Sequence, residues 1–262
     1  MYKIGVIGGG NMGEAIIASS LKHFFVYVSE KDPGRQRYLQ QNYKLSCRSI
    51  KELVQACEII VLAVKPQDID EVLKEVRKFL NKDKLVISIA AGITINFFER
   101  NLGGKPRVVR TMPNLPALIG QGITAVAKGK YAKKSDVELA GKIFNNLGHT
   151  VSVKEELIDA ITAVSGSGPA YVSLFMEYMI KAAQSLGLKE DLAADLVKST
   201  FAGSINLLLK KNISPGELRV KVTSKGGTTQ AALDVFAKNN LDKIITKALQ
   251  AAKKKARKLS RK

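Results

Sequence analysis

Residues 224–229 have the sequence SKGGTT, which combines two adjacent glycines with three hydroxyl-bearing side chains. The glycines allow backbone N–H groups to converge on one point, and a helical pattern follows at once in residues 230–238. Backbone N–H groups at the start of a helix, flanked by fixed hydroxyls, form a pocket for a small anion such as a carboxylate. We therefore predict a small-anion site made of Ser224, Gly226, Gly227, Thr228 and Thr229.

A second glycine-rich run, GGGNMG at residues 8–13, fits the pattern G-x-G-x-x-G. It follows an apolar strand pattern and opens a helical one, which is the context that a dinucleotide-binding loop requires. In such a loop the first glycine permits the tight turn, the second lets the backbone approach the pyrophosphate, and the third allows close helix–strand packing. We assign to this nucleotide contact Ile7, Gly8, Gly9, Gly10, Asn11, Met12 and Gly13.

Two other strand ends should face the same nucleotide. Loops at the carboxyl ends of parallel strands border the ligand crevice of an open α/β sheet. The strand pattern at residues 58–64 is followed by Lys65, which suits a phosphate or ribose, and the pattern at residues 84–90 ends in small side chains that leave room for a nicotinamide ring. We therefore add to the predicted cofactor site Ala63, Val64, Lys65, Pro66, Ala90 and Ala91.

The choice between the two nicotinamide cofactors depends on the end of the second strand. Glu30 lies 17 residues after Gly13, where a carboxylate would bond the ribose hydroxyls of NAD. Lys31 follows it, with Arg35 and Arg37 nearby, and cations at this place favour the 2′-phosphate of NADP. Glu30 and Lys31 are both predicted cofactor residues, and the cofactor is predicted to be NADP or NAD.

Strand and helix patterns alternate up to about residue 155, and only helical patterns follow. The strand patterns lie at residues 3–7, 25–28, 58–64, 84–90 and 106–110. This alternation predicts an α/β fold with a Rossmann-type, doubly wound parallel sheet. We expect an NAD(P)-binding domain at residues 1–155 and an all-α domain at residues 156–262. Residues 207–209 are apolar all round, which suits burial between subunits or within one chain.

Composition excludes several classes of protein. The amino terminus lacks a signal-peptide pattern, and no run approaches 18 apolar residues, so no membrane span is expected. The two cysteines lie ten residues apart without ligand partners nearby, which predicts reduced thiols, a cytoplasmic protein and no metal site.

The formal net charge is +19, and residues 247–262 contain eight basic residues and no acidic one. Such a tail either contacts nucleic acid or anionic lipid without specificity, or is a solvated last helix whose cations suit its carboxyl-terminal dipole. No aromatic residue is interleaved with it. We expect the solvated helix, no specific nucleic-acid partner, and a tail that is dispensable for catalysis.

The chain resembles the pyrroline-5-carboxylate reductase family in six segments that occur in the family's order. They are IGGGNMGEAI (7–16), LAVKPQ (62–67), SIAAG (88–92), RTMPNLP (110–116), DAITAVSGSGPAYV (159–172) and ELRVKVTSKGGTTQAAL (217–233). The resemblance implies NAD(P)H-dependent reduction of Δ1-pyrroline-5-carboxylate to L-proline, the final step of proline biosynthesis. It also implies a helical dimerisation domain that binds substrate, a homodimer or larger homo-oligomer, an active site at the dimer interface, and Asn114 in the cofactor site.

The resemblance assigns roles within SKGGTT. Thr229 would hydrogen-bond the ring nitrogen of the imino acid, and Ser224 with the backbone N–H groups around Gly226, Gly227 and Thr228 would hold its carboxylate. Three residues depart from the family's pattern beside this loop: Val220, Lys221 and Lys225.

Two other functions would share part of this pattern. A β-hydroxyacid dehydrogenase shares the nucleotide-binding plan but uses a lysine early in its first long helix, whereas residues 169–180 hold no lysine. A non-enzymatic basic protein that senses the nucleotide would tolerate a degraded substrate loop, whereas SKGGTT is intact.

Overall fold

The computed structural model describes residues 1–260, which form two compact units. Met1–Pro169, together with the chain from Ala251 onwards, forms the first, which we call the sheet unit. Ala170–Gln250 forms the second, the helical unit. The sheet unit extends beyond the predicted boundary after residue 155 because Ile158 is fully buried in one of the sheet's apolar cores.

The sheet unit contains a seven-stranded sheet in the order β2-β1-β3-β4-β5-β6-β7. Its strands are β1 (Lys3–Ile7), β2 (Phe25–Ser29), β3 (Ile59–Leu62), β4 (Leu85–Ser88), β5 (Arg107–Met112), β6 (Gly122–Lys128) and β7 (Gly148–Val153). The first five are parallel, β6 pairs antiparallel with β5, and β7 pairs parallel with β6. The predicted Rossmann-type sheet is confirmed, and the last two strands extend it beyond the five predicted.

The helices of the sheet unit are α1 (Asn11–Ser20), α2 (Pro33–Tyr43), α3 (Ile50–Ala56), α4 (Ile69–Val76), α5 (Ile95–Leu102), α6 (Lys134–Phe144) and α7 (Ile158–Ile161). Short polar side chains start several of them, as helix propensities require. Asp32 accepts a hydrogen bond from the Arg35 N–H at the start of α2, and Ser49 and Glu52 form a reciprocal capping box on α3.

Side chains alternate between the two faces of the sheet and enter two apolar cores. On β3, Ile59 and Val61 belong to one core, and Ile60 and Leu62 to the other. All four are at most 1% exposed, as expected for a strand that is covered on both faces. This burial fixes the strand ends, and therefore the loops at their carboxyl ends.

The helical unit consists of α8 (Gly168–Ser185), α9 (Glu190–Lys211), α10 (Pro215–Lys221), α11 (Thr228–Lys238) and α12 (Leu241–Leu259); α8 begins and α12 ends in the sheet unit. Within residues 170–250, only Ala193 and Val197 are buried apolar residues. Many large apolar side chains are exposed instead, among them Val172, Leu174, Phe175, Tyr178, Met179, Leu192, Leu196, Ile205, Leu207 and Leu209. Apolar surface on this scale marks an interaction surface. Judged by length and composition alone, α9 is also apolar enough to cross a bilayer.

Candidate functional site

The loop between β1 and α1 shows why its glycines are needed. Gly8 has φ +100°, and a Cβ there would lie 2.6 Å from the carbonyl oxygen of Ala63. A Cβ on Gly13 would lie 2.1 Å from the carbonyl oxygen of Gly8. Gly10 differs, because no atom lies within 4 Å of where its Cβ would be. The loop is therefore packed closely on its inner side and open at Gly10, which leaves the backbone accessible to a ligand.

The start of α1 offers unpaired backbone donors. Its N-cap is Gly10, which has no side chain to bond them, and the first intrahelical bond runs from the Glu14 N–H to the Gly10 carbonyl. In the part of the chain that the structure describes, the N–H groups of Asn11, Met12 and Gly13 have no hydrogen-bond partner. Such a helix start is suited to bind the phosphates of a dinucleotide. A dinucleotide cofactor therefore fits the residues present.

Beside this loop lies a groove of about 680 Å³, which we call the glycine-loop groove. Eight of the predicted cofactor residues line it: Ile7, Gly8, Gly10, Glu30, Lys31, Ala63, Val64 and Lys65. Arg35, one of the cations considered for a 2′-phosphate, also lines the groove, and four further charged side chains on its wall had no predicted role: Asp32, Asp68, Glu71 and Glu75. The carboxyl ends of β1, β2 and β3 meet at this groove, as expected for parallel strands of one sheet.

Glu30 is fixed by the backbone rather than left free in the groove. Its carboxylate accepts hydrogen bonds from the N–H groups of Gly9 at 2.6 Å, Lys31 at 2.7 Å and Asp32 at 2.9 Å. These bonds hold the carboxylate between the glycine loop and the end of β2. A fixed carboxylate here is suited to accept hydrogen bonds from the ribose hydroxyls and to repel a 2′-phosphate.

The two cations closest to Glu30 in sequence each have a carboxylate partner. The Lys31 ammonium lies 2.8 Å from Asp68 Oδ1. The Arg35 guanidinium pairs with Glu14, donates to the Gly9 carbonyl and lies 4.5 Å above the Tyr38 ring. Both cations are therefore already paired with a carboxylate, and neither is left unpaired to bind the 2′-phosphate of NADP. Arg37, the remaining basic residue near Glu30, is exposed.

Glu14 is the centre of a polar cluster beneath Arg35. Burial raises the pKa of Glu14, but hydrogen bonds from Tyr43, Arg35 and Tyr38 outweigh it, so its pKa is lowered. The Tyr43 hydroxyl donates to Glu14 at 2.7 Å, and this bond is the main cause that raises the pKa of Tyr43 to about 12. The cluster keeps Glu14 ionised and Arg35 in place against the glycine loop.

The remaining predicted cofactor residues lie outside the groove lining. Pro66 begins a single 3₁₀ turn after β3. Ala90 is buried after β4 and its N–H donates to Ser88 Oγ at 3.1 Å, whereas Ala91 is exposed. Asn114 follows β5, and its Oδ1 accepts from the Ile123 N–H at 2.8 Å. Ala90, Ala91 and Asn114 thus follow the adjacent strands β4 and β5, on the carboxyl-terminal edge of the sheet.

The SKGGTT loop joins α10 to α11 in the helical unit. Gly226 has φ +72°, which favours glycine. The Gly227 N–H donates to the Ser224 carbonyl at 3.1 Å, and a Cβ on Gly227 would lie 2.4 Å from Ser224 Oγ. Thr229 is half-buried, while Ser224 and Thr228 are exposed. The turn therefore favours glycine at Gly226, and the missing side chain of Gly227 leaves room for the Ser224 hydroxyl beside the start of α11.

Helix α11 begins without a side-chain cap and without an acidic residue in its first turn. Among the described residues, none accepts a hydrogen bond from the backbone N–H groups of Thr228, Thr229 and Gln230. The positive end of the helix dipole adds to these donors. These donors suit a small anion, and Lys225 beside them is exposed and adds positive charge.

One ion pair near the strand ends, made by a buried arginine, was not foreseen. Arg110, which lies in the RTMPNLP segment, is 3% exposed and donates to Glu155 at 2.9 Å. Glu155 also accepts from the Ile95 N–H at 2.7 Å, which links β5 to the start of α5. The sequence signal for this ion pair was a basic residue, Arg110, inside an apolar strand pattern. Within residues 1–260, no cluster of His, Cys, Asp and Glu is placed to hold a metal ion.

Two family models match the chain. One described as pyrroline-5-carboxylate reductase dimerisation matches residues 155–259. The other, described as NADP oxidoreductase coenzyme F420-dependent, matches residues 3–92. The first model begins at the predicted domain boundary and contains SKGGTT, and the second contains the glycine loop and the ends of β1 to β4.

Relatives extend the similarity over the whole chain. Pyrroline-5-carboxylate reductase of Mycobacterium tuberculosis is 35% identical, with 99% of this chain and 97% of the relative covered. Pyrroline-5-carboxylate reductase 2 of Bacillus subtilis is 36% identical, with 98% and 94% covered.

Solved structures show the same similarity. The pyrroline-5-carboxylate reductase of Coxiella burnetii has a TM-score of 0.93 at 34% identity, with 100% of this chain and 99% of that chain covered. A Plasmodium falciparum pyrroline carboxylate reductase solved with NADP bound has a TM-score of 0.87 at 32% identity, covering 99% of this chain and 98% of that one.

Proposed function

The chain belongs to the pyrroline-5-carboxylate reductase family, and from this premise we propose how its residues reduce Δ1-pyrroline-5-carboxylate to L-proline with NAD(P)H. We assign these roles on the basis of one observation. The SKGGTT loop is intact and leads into α11, a helix that begins without a side-chain cap. A β-hydroxyacid dehydrogenase and a non-enzymatic nucleotide sensor are set aside, because the similarity extends over both units.

The cofactor would be held by the glycine loop and by the carboxyl ends of the neighbouring strands. The N–H groups at the start of α1 would bind the pyrophosphate, Glu30 and Lys31 would border the adenosine ribose, and Lys65 would contact phosphate or ribose. Ala90, Ala91 and Asn114 would border the nicotinamide. When bound, the reduced nicotinamide supplies the hydride. The cofactor is NADP or NAD, in keeping with the relative that was solved with NADP.

The substrate carboxylate would be bound by the free N–H groups at the start of α11 and by the Ser224 hydroxyl. The protonated ring nitrogen would then donate a hydrogen bond to the Thr229 hydroxyl, which orients the C=N bond. An iminium already carries its proton, so hydride addition at carbon yields the amine without an acid from the protein. Thr229 therefore positions the substrate rather than transferring a proton, and correct placement supplies much of the rate.

We further propose that the active site forms at a subunit interface. The family model for dimerisation and the exposed apolar surface of the helical unit both support a homo-oligomer. The predicted nucleotide and substrate loops lie in different units of the chain, which allows two subunits to contribute to one site. The apolar surface of α9 is assigned to this interface rather than to a membrane. The free thiols of Cys47 and Cys57 support a cytoplasmic location.

The test is an assay of the purified protein with the imine and each reduced cofactor. Thr229→Ala should lower kcat/KM by about 5- to 150-fold, since one positioned hydrogen bond is worth about 1–3 kcal/mol. Thr229→Ser is the matched control, because it retains the hydroxyl and should keep most of the activity. Full activity in Thr229→Ala would refute this role, and a wild-type protein that reduces the imine with neither cofactor would refute the function.

A further inference from the structure

The end of the last helix belongs to the sheet unit, although the helix begins in the helical unit. Residues from Ala251 onwards cluster with Met1–Pro169 rather than with Ala170–Gln250. The sequence predicted a solvated, dispensable tail at this place. The basic side chains of the described part are exposed, as predicted, but its small residues and backbone also contact two segments of the sheet unit.

The first contact is with the loop after β4. A Cβ on Gly92 would lie 3.0 Å from the carbonyl oxygen of Leu259 and 3.4 Å from its Cβ. Gly92 also has φ +73°, so both its conformation and its neighbour favour glycine. The close approach of two backbones leaves the Gly92 loop little freedom to move towards the helix end.

The second contact is with the start of the DAITAVSGSGPAYV segment. The Ser260 hydroxyl lies 3.2 Å from Asp159 Oδ1 and 3.1 Å from the Ala256 carbonyl oxygen, so its one proton is shared between these two acceptors. Asp159 lies in α7 next to the fully buried Ile158, and a π-helical turn at Thr162–Gly166 follows. π-Helical turns are found frequently at functional sites. The helix end therefore links two segments that are distant in sequence.

The carboxyl-terminal part of α12, with Ser260 after it, has two different faces. Ala252, Ala256 and Ser260 recur every four residues and are half-buried, so small side chains form one face. The basic residues occupy the exposed remainder: Lys253, Lys254, Lys255, Arg257 and Lys258. The contacts to the sheet unit thus use small residues and backbone, and the charges point elsewhere.

We propose that the carboxyl end of α12 is a positioning element for the nicotinamide end of the cofactor site. Gly92 closes the SIAAG segment at the carboxyl end of β4, where the crevice of a parallel sheet receives its ligand. By restraining this loop, Leu259 and Ser260 keep Ala90 and Ala91 where they border the nicotinamide. This inference rests on the proposed function, because it assumes that hydride transfer occurs beside that loop.

The test compares two variants that lose the same three charges. The first ends at Arg257 and therefore lacks Leu259 and Ser260. The second is full-length and carries Lys258→Gln, Arg261→Gln and Lys262→Gln. Three quantities are measured for each: kcat and KM for imine reduction, the primary isotope effect with deuterated cofactor, and amide hydrogen exchange in residues 89–93.

The truncated variant should show a kcat lowered about 10-fold with little change in KM for the imine, a larger isotope effect and faster exchange around Gly92. The charge-only variant should match the wild type. Unchanged kcat and exchange in the truncated variant, or equal losses in both variants, would overturn the proposal. If the wild type reduces no imine, the proposed function fails, and the exchange measurement alone decides whether the helix end restrains the loop.

Discussion

Replacing single glycines of the β1–α1 loop with alanine should separate cofactor binding from stability. Gly10→Ala places a methyl group where no protein atom lies within 4 Å, and the backbone at φ −63°, ψ −179° accepts alanine without strain. Alanine is a poorer N-cap than glycine by up to about 1 kcal/mol. The loss of unfolded-state entropy offsets about 0.4–1 kcal/mol of this. The free energy of unfolding should therefore change little.

Gly13→Ala should behave differently. Its methyl group would lie 2.1 Å from the Gly8 carbonyl oxygen, so the loop backbone must move. Overpacking of this kind costs about 1–3 kcal/mol, of which the better helix propensity of alanine returns about 1 kcal/mol. We expect a net loss of about 1–2 kcal/mol, because the clashing atom is backbone and cannot rotate away. The displaced loop should also bind cofactor less tightly.

The assay pairs urea unfolding with titration of NADH or NADPH fluorescence. Gly10→Ala should unfold like the wild type but bind cofactor at least about tenfold more weakly, equivalent to about 1.4 kcal/mol, because its methyl group blocks the approach of the pyrophosphate. Gly13→Ala should lose both stability and binding. Wild-type cofactor affinity in Gly10→Ala would refute the placement of the pyrophosphate at the start of α1.

Two other predictions concern the groove and a buried thiol. Asp68→Asn should free Lys31 and raise the ratio of NADPH affinity to NADH affinity about threefold. The control Glu75→Gln removes a charge from the same groove wall and should change this ratio less. Equal shifts in both variants would contradict the pairing of Lys31 with Asp68. Burial raises the pKa of Cys57 to about 12, so native Cys57 should resist alkylation at about pH 8 and react only on unfolding. Because the folded pKa is the higher one, Cys57 should stabilise the fold below about pH 8.5, and urea midpoints should show this contribution fall as pH rises above that value.

Local patterns determined most of the fold. The apolar runs that became β1, β3 and β4 are buried on both faces, and such continuous runs indicate parallel strands. The glycine spacing at residues 8–13 predicted a turn that the φ of Gly8 and the packing of Gly13 explain. These features depend only on residues within one turn or one strand, and so the sequence alone predicts them.

The tertiary structure alone decided the features that join distant segments. The antiparallel pairing of β6 with β5 depends on which strand edge was left open. β7 lies at the edge of the sheet, and its half-exposed side chains give a weak strand signal in the sequence. The pairing of Lys31 with Asp68, across 37 residues, neutralises a cation that the sequence offered to a 2′-phosphate. Hydrophobic period and turn chemistry fix local geometry, but such contacts depend on strand order.

The basic tail shows the same division most clearly. Its composition indicated a solvated charge run, and the lysines and arginines of its described part are indeed exposed. Its small residues carried no signal of their own, because alanine is simply a good helix former. Only the path of α12 brought Leu259 to Gly92 and Ser260 to Asp159, partners 101 residues apart in the second case. A contact of that kind is set by the path of the last helix relative to the sheet, which no local pattern encodes.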